Sequence, residues 1–270
     1  MIKAFMFDLD GTLIDENYVM SLKTIESLKR LKEKGYLMVA SSGRPVFLSN
    51  YVSDPTLGVK FFDYVYGNNG SELYDGKKDE FTLIKYLTPE EISIIGKFYD
   101  DEMFTLGLYE QAEKNYILVN REVKNKEVLD WIAARGLEIK VIDFNSVDKP
   151  YAKIICIHDA AHYDEAVKYI ESHKESFCSI CHSSTYAIEI VPFGVSKGTT
   201  VSDLCKKENL KKEEIIAFGD SSNDIPMLLE CRGVLMGNAK DDLKKVIKEQ
   251  TLSVKDDGIY DYLLKHHFLD

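Results

Sequence analysis

The sequence has no apolar run that approaches the length needed to span a bilayer. It does not open on a basic region, an apolar stretch and a small-residue cleavage site. Strand-like residues begin at Ile2 instead, so a cytoplasmic location is expected. Positive charge is not in excess: the formal net charge is -11. That speaks against a nucleic-acid backbone or a membrane surface as partner. It still allows a small phosphorylated substrate at a locally positive site. There is no internal repeat, no low-complexity tract and no heptad seam, and no feature fixes an oligomeric state. Cysteine is sparse and odd in number: Cys156, Cys178, Cys181, Cys205 and Cys231 read as reduced thiols in apolar contexts. Cys178-Ser179-Ile180-Cys181-His182 has the spacing of covalent haem attachment. That chemistry needs an export context, and a strand puts positions three apart on opposite faces. His182 therefore reads as an ordinary strand-end residue.

What is present suits a soluble globular protein. The 270 residues are 45% hydrophobic and 29% charged, enough for one large domain or two ordinary ones. Ile2 to Phe7 reads as a strand buried on both faces. It runs into Asp8 and Asp10, followed by Gly11-Thr12. Two carboxylates there oppose each other's ionisation. A hard divalent cation such as Mg2+ relieves that and leaves room for phosphate. The plain alternative is a turn at Asp10-Gly11 with a solvated Asp8. Ser21 to Lys34 then reads as a helix, with Leu22, Ile25, Leu28 and Leu31 on one stripe and Gly35 closing it. Tyr36 to Ala40 is a second buried strand ending in Ser41-Ser42-Gly43-Arg44-Pro45. Strand, helix and strand in this span fit a parallel crossover, which puts both polar clusters at C-terminal strand ends, where open α/β sheets bind ligands.

Val46 to Tyr51 is expected to begin a helix and Asp63 to Tyr66 to form a strand. Ser71 to Tyr74 and Glu80 to Leu83 read as a hairpin. The middle of the chain changes style. Thr88-Pro89-Glu90-Glu91 starts a helix running to about Asp101. Helices are expected over Val123 to Ala134 and His162 to His173, among shorter, more amphipathic strands. That pattern suits an α+β unit, with 84–185 inserted into a core made of 1–83 and 186–270. The last third returns to the first style. Lys197 opens a helix, and Ile215 to Phe218 is a buried strand ending in Gly219-Asp220-Ser221-Ser222-Asn223-Asp224. A final helix is expected over Asp241 to Glu249.

Asp8/Asp10, Ser42-Gly43-Arg44, Lys197 and Gly219-Asp220 with Asn223-Asp224 together supply what phosphoryl transfer needs. They offer carboxylates for a metal and a nucleophile, a hydroxyl and N–H groups for phosphate oxygens, and a cation for developing charge. Singly, each has an ordinary reading: Ser42 as a cap, Lys197 as solvated surface, Asp220 and Asp224 as turn residues.

In their order, Asp8-Leu9-Asp10-Gly11-Thr12-Leu13, Ser42-Gly43-Arg44, Ser196-Lys197-Gly198 and Gly219-Asp220-Ser221-Ser222-Asn223-Asp224 resemble the four motifs of the haloacid dehalogenase-like superfamily. The placement of the insert, Asn69-Gly70, Glu189-Ile190-Val191-Pro192 and Met236-Gly237-Asn238-Ala239 resemble its Cof-type phosphatases of subfamily IIB. Ser42 stands where many relatives have Thr. The resemblance implies a doubly wound, Rossmann-like α/β core with an inserted α+β cap that selects the substrate. It implies a phosphatase in which Asp8 is the nucleophile, forming an aspartyl-phosphate, and Asp10 carries the proton. Mg2+ would be held by Asp8, the backbone carbonyl of Asp10 and Asp220, with Asp224 in support. Ser42, Gly43, Lys197 and Asn223 would hold the phosphoryl group. Arg44 would contact substrate or support its loop. A sugar phosphate is the first expectation, with nucleotides, phosphorylated cofactors and pyridoxal phosphate also open. The rival readings are a phosphotransferase or mutase on the same core, and a non-catalytic module that binds a phosphorylated metabolite. Tyr109, Tyr116 and Tyr151 read as packing residues and not as substrate platforms.

Overall fold

The computed structural model describes residues 1–49, 58–98, 104–111, 115–134, 136–158, 160–172, 175–182 and 187–270. The chain divides into two compact units, Met1–Thr82 with Ser196–Asp270, and Leu83–Val195.

The first unit is built on a seven-stranded sheet. Its elements open with β1 (Ala4–Phe7), α1 (Leu22–Glu33), β2 (Leu37–Ser41), β3 (Tyr64–Gly67), β4 (Glu72–Asp75) and β5 (Glu80–Leu83). The insert carries α2 (Pro89–Phe98), β6 (Thr105–Gln111), β7 (Asn115–Val119), α3 (Lys126–Ala134), β8 (Glu138–Val141), β9 (Ile154–Ile157), α4 (Tyr163–Ser172), β10 (Cys178–His182) and β11 (Ala187–Pro192). The chain then returns with α5 (Lys197–Glu208), β12 (Ile215–Gly219), α6 (Ile225–Glu230), β13 (Arg232–Leu235), α7 (Asp241–Val246) and α8 (Gly258–Lys265).

The first sheet runs β13-β12-β1-β2-β3-β4-β5. The pairs from β13 to β3 are parallel, and β4 turns back antiparallel. β1 and β2 are buried nearly throughout because helices cover both faces, and that burial explains their unbroken apolar runs. On one side Phe5, Phe7 and Phe218 pack with Leu28 and Leu31 of α1 and with Ile259 and Leu263 of α8. On the other, Met6, Val39 and Ala217 pack with Val201 and Leu204 of α5 and with Met227 of α6. Because the first five strands of that order are parallel, their C-terminal ends share one edge, and strand order reverses about β1.

Several local expectations need correction. Ser21 caps α1 through a bond from the Thr24 amide, and Gly35 lies beyond its end at φ +80, but Leu22 is exposed, so the buried stripe starts at Ile25. A single short 3-10 turn, Val46–Leu48, closed by Ser49, stands where a helix from Val46 is expected, and residues 50 and 51 of that stretch lie outside the described residues. The same holds for the expected end of α2 near Asp101. α2 begins as expected, with Thr88 and Glu91 bonding each other's amides. α3 starts at Lys126 and not at Val123, because Asn125 accepts from the amides of Glu127 and Val128 and so takes the cap position. α7 stops at Val246: the Glu249 carbonyl accepts from the Leu235 amide and its carboxylate pairs with Arg232, so that residue belongs to the strand edge. α8 was not expected at all.

The second unit holds a six-stranded sheet in the order β10-β11-β9-β6-β7-β8, antiparallel except for β7 with β8. Helix residues Ile92, Ile95, Ala166 and Ile170 pack on one of its faces with Leu106, Leu108, Ile154, Ile188 and Ile190. The unit ends at Val195, ten residues beyond the expected 185, because β11 pairs with both β9 and β10. On β10, Cys178 is buried in this core and Cys181 is only partly buried, as alternation requires; the side chain of His182 lies outside the described residues. Tyr151 packs in the same cluster and donates to Glu110 at 2.5 Å, while Tyr116 packs at its margin. No helix among the described residues is long and apolar enough to cross a membrane.

Candidate active site

Four strand ends of the first unit converge. β1 hands directly to Asp8, β2 to Ser42, β3 to Asn68 and β12 to Asp220. The amide of Asp8 donates to Phe218 O and that of Ser42 to Tyr66 O, so the ladder reaches the first functional residues. Lys197 arrives from α5, in its first turn. A cation at a helix N-terminus is disfavoured by the aligned peptide dipoles, and this one is also 1% exposed. Carboxylates offset both costs: Lys197 Nζ lies 2.5 Å from Asp8 Oδ1 and 2.5 Å from Asp224 Oδ1. Close packing of α5 on α6 brings it there. A Cβ on Gly198 would meet Pro226 O at 2.9 Å.

Asp224 is fully engaged. Its second oxygen accepts from the amides of Asp220 and Ser221, each at 2.9 Å. Asp220 is fixed by Thr12 Oγ1 at 3.3 Å and Asn238 Nδ2 at 3.1 Å, and Asn238 also donates to Gly11 O at 2.9 Å. Gly11 is required here: it sits at φ +80, and a Cβ would fall 2.3 Å from Asp220 Oδ2.

Oxygen atoms of Asp8, Asp220 and Asp224 lie within 4.8 Å of one another. When all are ionised, three carboxylates face one ammonium, and negative charge is in excess. The titration behaviour follows. Burial, then the charge of Asp224, raises the Asp8 carboxyl well above its ordinary range, against the pull of Lys197. The same two causes push Asp220 up to about 7. Burial works against the charge of Lys197, but Asp224 and Asp8 outweigh it and hold the ammonium above its usual range. Hard oxygen donors with unbalanced negative charge fit a divalent cation. Asp8, Asp220 and Asp224 each offer such an oxygen, and Asp224 already carries the Lys197 ammonium on one oxygen and two loop amides on the other.

The second expected cluster is built around the Ser42 loop. Ser42 Oγ accepts from the Arg44 amide at 3.1 Å, and its carbonyl accepts from Asn69 N at 2.9 Å. Asn223 Nδ2 donates to Asn69 Oδ1 at 3.2 Å, and a Cβ on Gly43 would lie 3.4 Å from that same oxygen. Gly43 and Asn223 therefore flank one small polar corner. The Asp10 carboxylate goes elsewhere. Arg44 grips it in a two-bond fork, with Nε 2.6 Å from Oδ2 and a second bond from Nη2 to Oδ1. Burial weakens the Arg44 charge, but the bonds it donates to Asp10 and the charge of that carboxylate more than restore it. A cavity of about 670 Å3 is lined by Asp10, Gly11, Tyr18, Asp220 and Asn238.

Asp8, Lys197, Asp220 and Asp224 are thus brought together, and Ser42, Gly43 and Asn223 form an adjoining group through Asn69. Sequence reasoning gave no role to Thr12, Asn69 or Asn238, although all three lie in stretches it singled out. Their shared signal was position: a small polar residue just past a parallel strand.

The sequence profile of the haloacid dehalogenase-like hydrolases matches residues 5–263. A Bacillus subtilis relative, 5-amino-6-(5-phospho-D-ribitylamino)uracil phosphatase YcsE, is 25% identical over 268 residues, covering 98% of this chain and 94% of its own. A crystal structure of a haloacid dehalogenase-like hydrolase from Bacteroides thetaiotaomicron is 26% identical, with a TM-score of 0.82 and coverage of 98% and 99%. A phosphatase of that superfamily from the same organism is 25% identical, with a TM-score of 0.82 and coverage of 100% and 96%. Profile, length and fold agree from β1 to α8: this chain belongs to the haloacid dehalogenase-like hydrolase family.

Proposed function

We propose that the protein is a Mg2+-dependent phosphatase that hydrolyses a small phosphorylated metabolite through an aspartyl-phosphate on Asp8. The observation that carries this reading is the buried Lys197 ammonium, 2.5 Å from the Asp8 carboxylate at the switch point of a parallel sheet. A lysine so placed orients Asp8 and stabilises charge that develops on a phosphoryl group. Asp8 attacks phosphorus in line, and its ester with the substrate alcohol breaks. Asp10 gives a proton to the departing alkoxide and later takes one from the water that cleaves the acyl-phosphate. Ser42 Oγ, the Gly43 amide, Lys197 and Asn223 hold the phosphoryl oxygens. Asp8, the Asp10 carbonyl and Asp220 would hold Mg2+, with Asp224 fixing the loop beneath. When bound, Mg2+ screens the repulsion between the Asp8 carboxylate and the phosphate dianion.

Leu83–Val195 serves in this reading as the cap that chooses the substrate. A sugar phosphate or related polyol phosphate is the first candidate. Two similarities support it: the Bacillus subtilis relative is named for a phosphoribityl compound, and the fold is shared with a subclass IIB sugar phosphatase at a TM-score of 0.81. The test is a screen of phosphorylated metabolites with Mg2+, scoring free phosphate and, with alcohol acceptors present, transferred phosphate. Phosphate release from one sugar phosphate is expected. Transfer to acceptors in preference to water would make the protein a phosphotransferase. Tight binding of a metabolite without turnover would make it a binding module.

A further inference from the structure

Asp8 and Asp10 leave the same strand two residues apart, yet only Asp8 joins the acidic cluster with Asp220 and Asp224. Arg44 accounts for the difference. Its fork takes both oxygens of Asp10, a geometry that lysine cannot reproduce. The pair is anchored from the arginine side, whose side chain is 10% exposed against 49% for Asp10. The guanidinium carbon lies 5.0 Å from the centre of the Tyr18 ring. That ring is set by a turn in which the Tyr18 amide donates to Asp15 O, while Asp15 Oδ1 accepts from the amides of Asn17 and Val19. The backbone of Arg44 is held as well. Its amide donates to Ser42 Oγ at 3.1 Å, and its carbonyl accepts from Asn68 N at 2.8 Å. Arg44 therefore links the hydroxyl of the second motif to the second aspartate of the first.

We propose that Arg44 is a positioning residue that divides the labour between the two aspartates. It keeps the Asp10 carboxylate out of the metal-binding cluster and holds it in one orientation for proton transfer. The assignment of proton transfer to Asp10 rests on the proposed phosphatase reading. The exclusion of Asp10 from the cluster does not.

The test compares Arg44→Gln, Arg44→Lys, Asp10→Asn and the double variant Asp10→Asn/Arg44→Gln, each first shown to be folded by circular dichroism. Mn2+ binding is titrated without substrate by calorimetry. With the fork gone, Asp10 can turn into the cluster, so Arg44→Gln should bind Mn2+ about tenfold more tightly. Arg44→Lys should show part of that gain, and the double variant should lose it. Turnover is then measured on an alkyl phosphate and on p-nitrophenyl phosphate, whose leaving group needs little protonation. Arg44→Gln should lower kcat on the alkyl ester by about 10²-fold, with less effect on the aryl ester and KM nearly unchanged. Unchanged Mn2+ affinity in Arg44→Gln, or a gain that survives in the double variant, would overturn the proposal. So would a rise in KM with equal losses on both esters, which would make Arg44 a substrate ligand. If Asp10→Asn itself fails to discriminate the two esters while the Mn2+ results hold, the proton-carrier reading fails and the positioning of Asp10 by Arg44 stands.

Discussion

Each unit of this protein buries a lysine, and the two lysines meet different company. In the insert, Lys153 is 2% exposed and pairs with the equally buried Glu189, with the Tyr109 ring 5.3 Å from its ammonium. In the first unit, Lys197 faces Asp8 and Asp224, with Asp220 beside them. The first arrangement sets an ammonium 2.5 Å from a carboxylate. The second leaves carboxylates in excess, and burial first, with the charge of Asp224 second, raises Asp8 and Asp220 in pKa. The excess of hard oxygen donors in the second fits a divalent cation. Among the described residues, Asp8, Asp220 and Asp224 make up the one acidic cluster with metal-site geometry.

The largest expected effect falls on Asp8, the proposed nucleophile. Asp8→Asn should lower phosphate-ester turnover by on the order of 10⁴-fold or more while the fold is retained, measured by steady-state kinetics and circular dichroism. Near-normal turnover would remove Asp8 from the chemistry. Next come the two lysines. Lys197→Met and Lys153→Met should each destabilise by about 3–5 kcal/mol in urea unfolding, because each leaves a buried carboxylate without its partner. They should then diverge: Mg2+ should restore part of the loss in Lys197→Met and none in Lys153→Met. The double variant Lys153→Met/Glu189→Leu should return toward parental stability, since both charges leave together. A double variant as unstable as the single one would mean that the insert's pair does more than balance charge.

A smaller effect concerns pH. Asp220 has an ordinary value of 3.8, raised in the folded protein to about 7, and Asp8 is raised as well. In the unfolded chain these groups ionise first. The contribution of Asp220 to stability is therefore complete below about pH 4 and is lost as pH rises toward 7, and Asp8 adds a loss of the same sign. The melting temperature in EDTA should fall across that window on their account, and saturating Mg2+ should flatten the fall. The smallest effect separates two glycines with the same φ of +80. Gly35→Ala meets nothing within 4 Å and should cost only about 1 kcal/mol of backbone strain. Gly11→Ala should also weaken Mg2+ binding, because its Cβ collides with Asp220.

These contrasts also mark what was legible in the sequence. Doubly buried parallel strands are apolar throughout and end abruptly, so Asp8, Ser42 and Asp220 could be placed at strand ends from residue order alone. The end of the insert could not, because β11 is buried along its whole length and reads like a strand of the first sheet; only its pairing with β9 and β10 assigns it. Leu22 fits the helical stripe yet faces out, since α1 buries its face from Thr24 onward. α8 does carry a local signal, with Ile259, Tyr262 and Leu263 buried at helical spacing, whereas the Arg232–Glu249 pair depends on a contact between segments that no local pattern encodes. The destination of the Asp10 carboxylate is of the same kind: Arg44 lies 34 residues away and meets it only because β1 and β2 are neighbours.

The central claim is that the Asp8 carboxylate takes the phosphoryl group covalently. The direct measurement is to quench turnover of the substrate found in the metabolite screen, reduce with borohydride and map the peptides by mass. An acyl-phosphate is reduced to an alcohol, so homoserine should be found at position 8, only after substrate and Mg2+ are supplied, and not in Asp8→Asn. An intact aspartate at position 8 during steady turnover, or the reduced residue at any other position, would contradict the account.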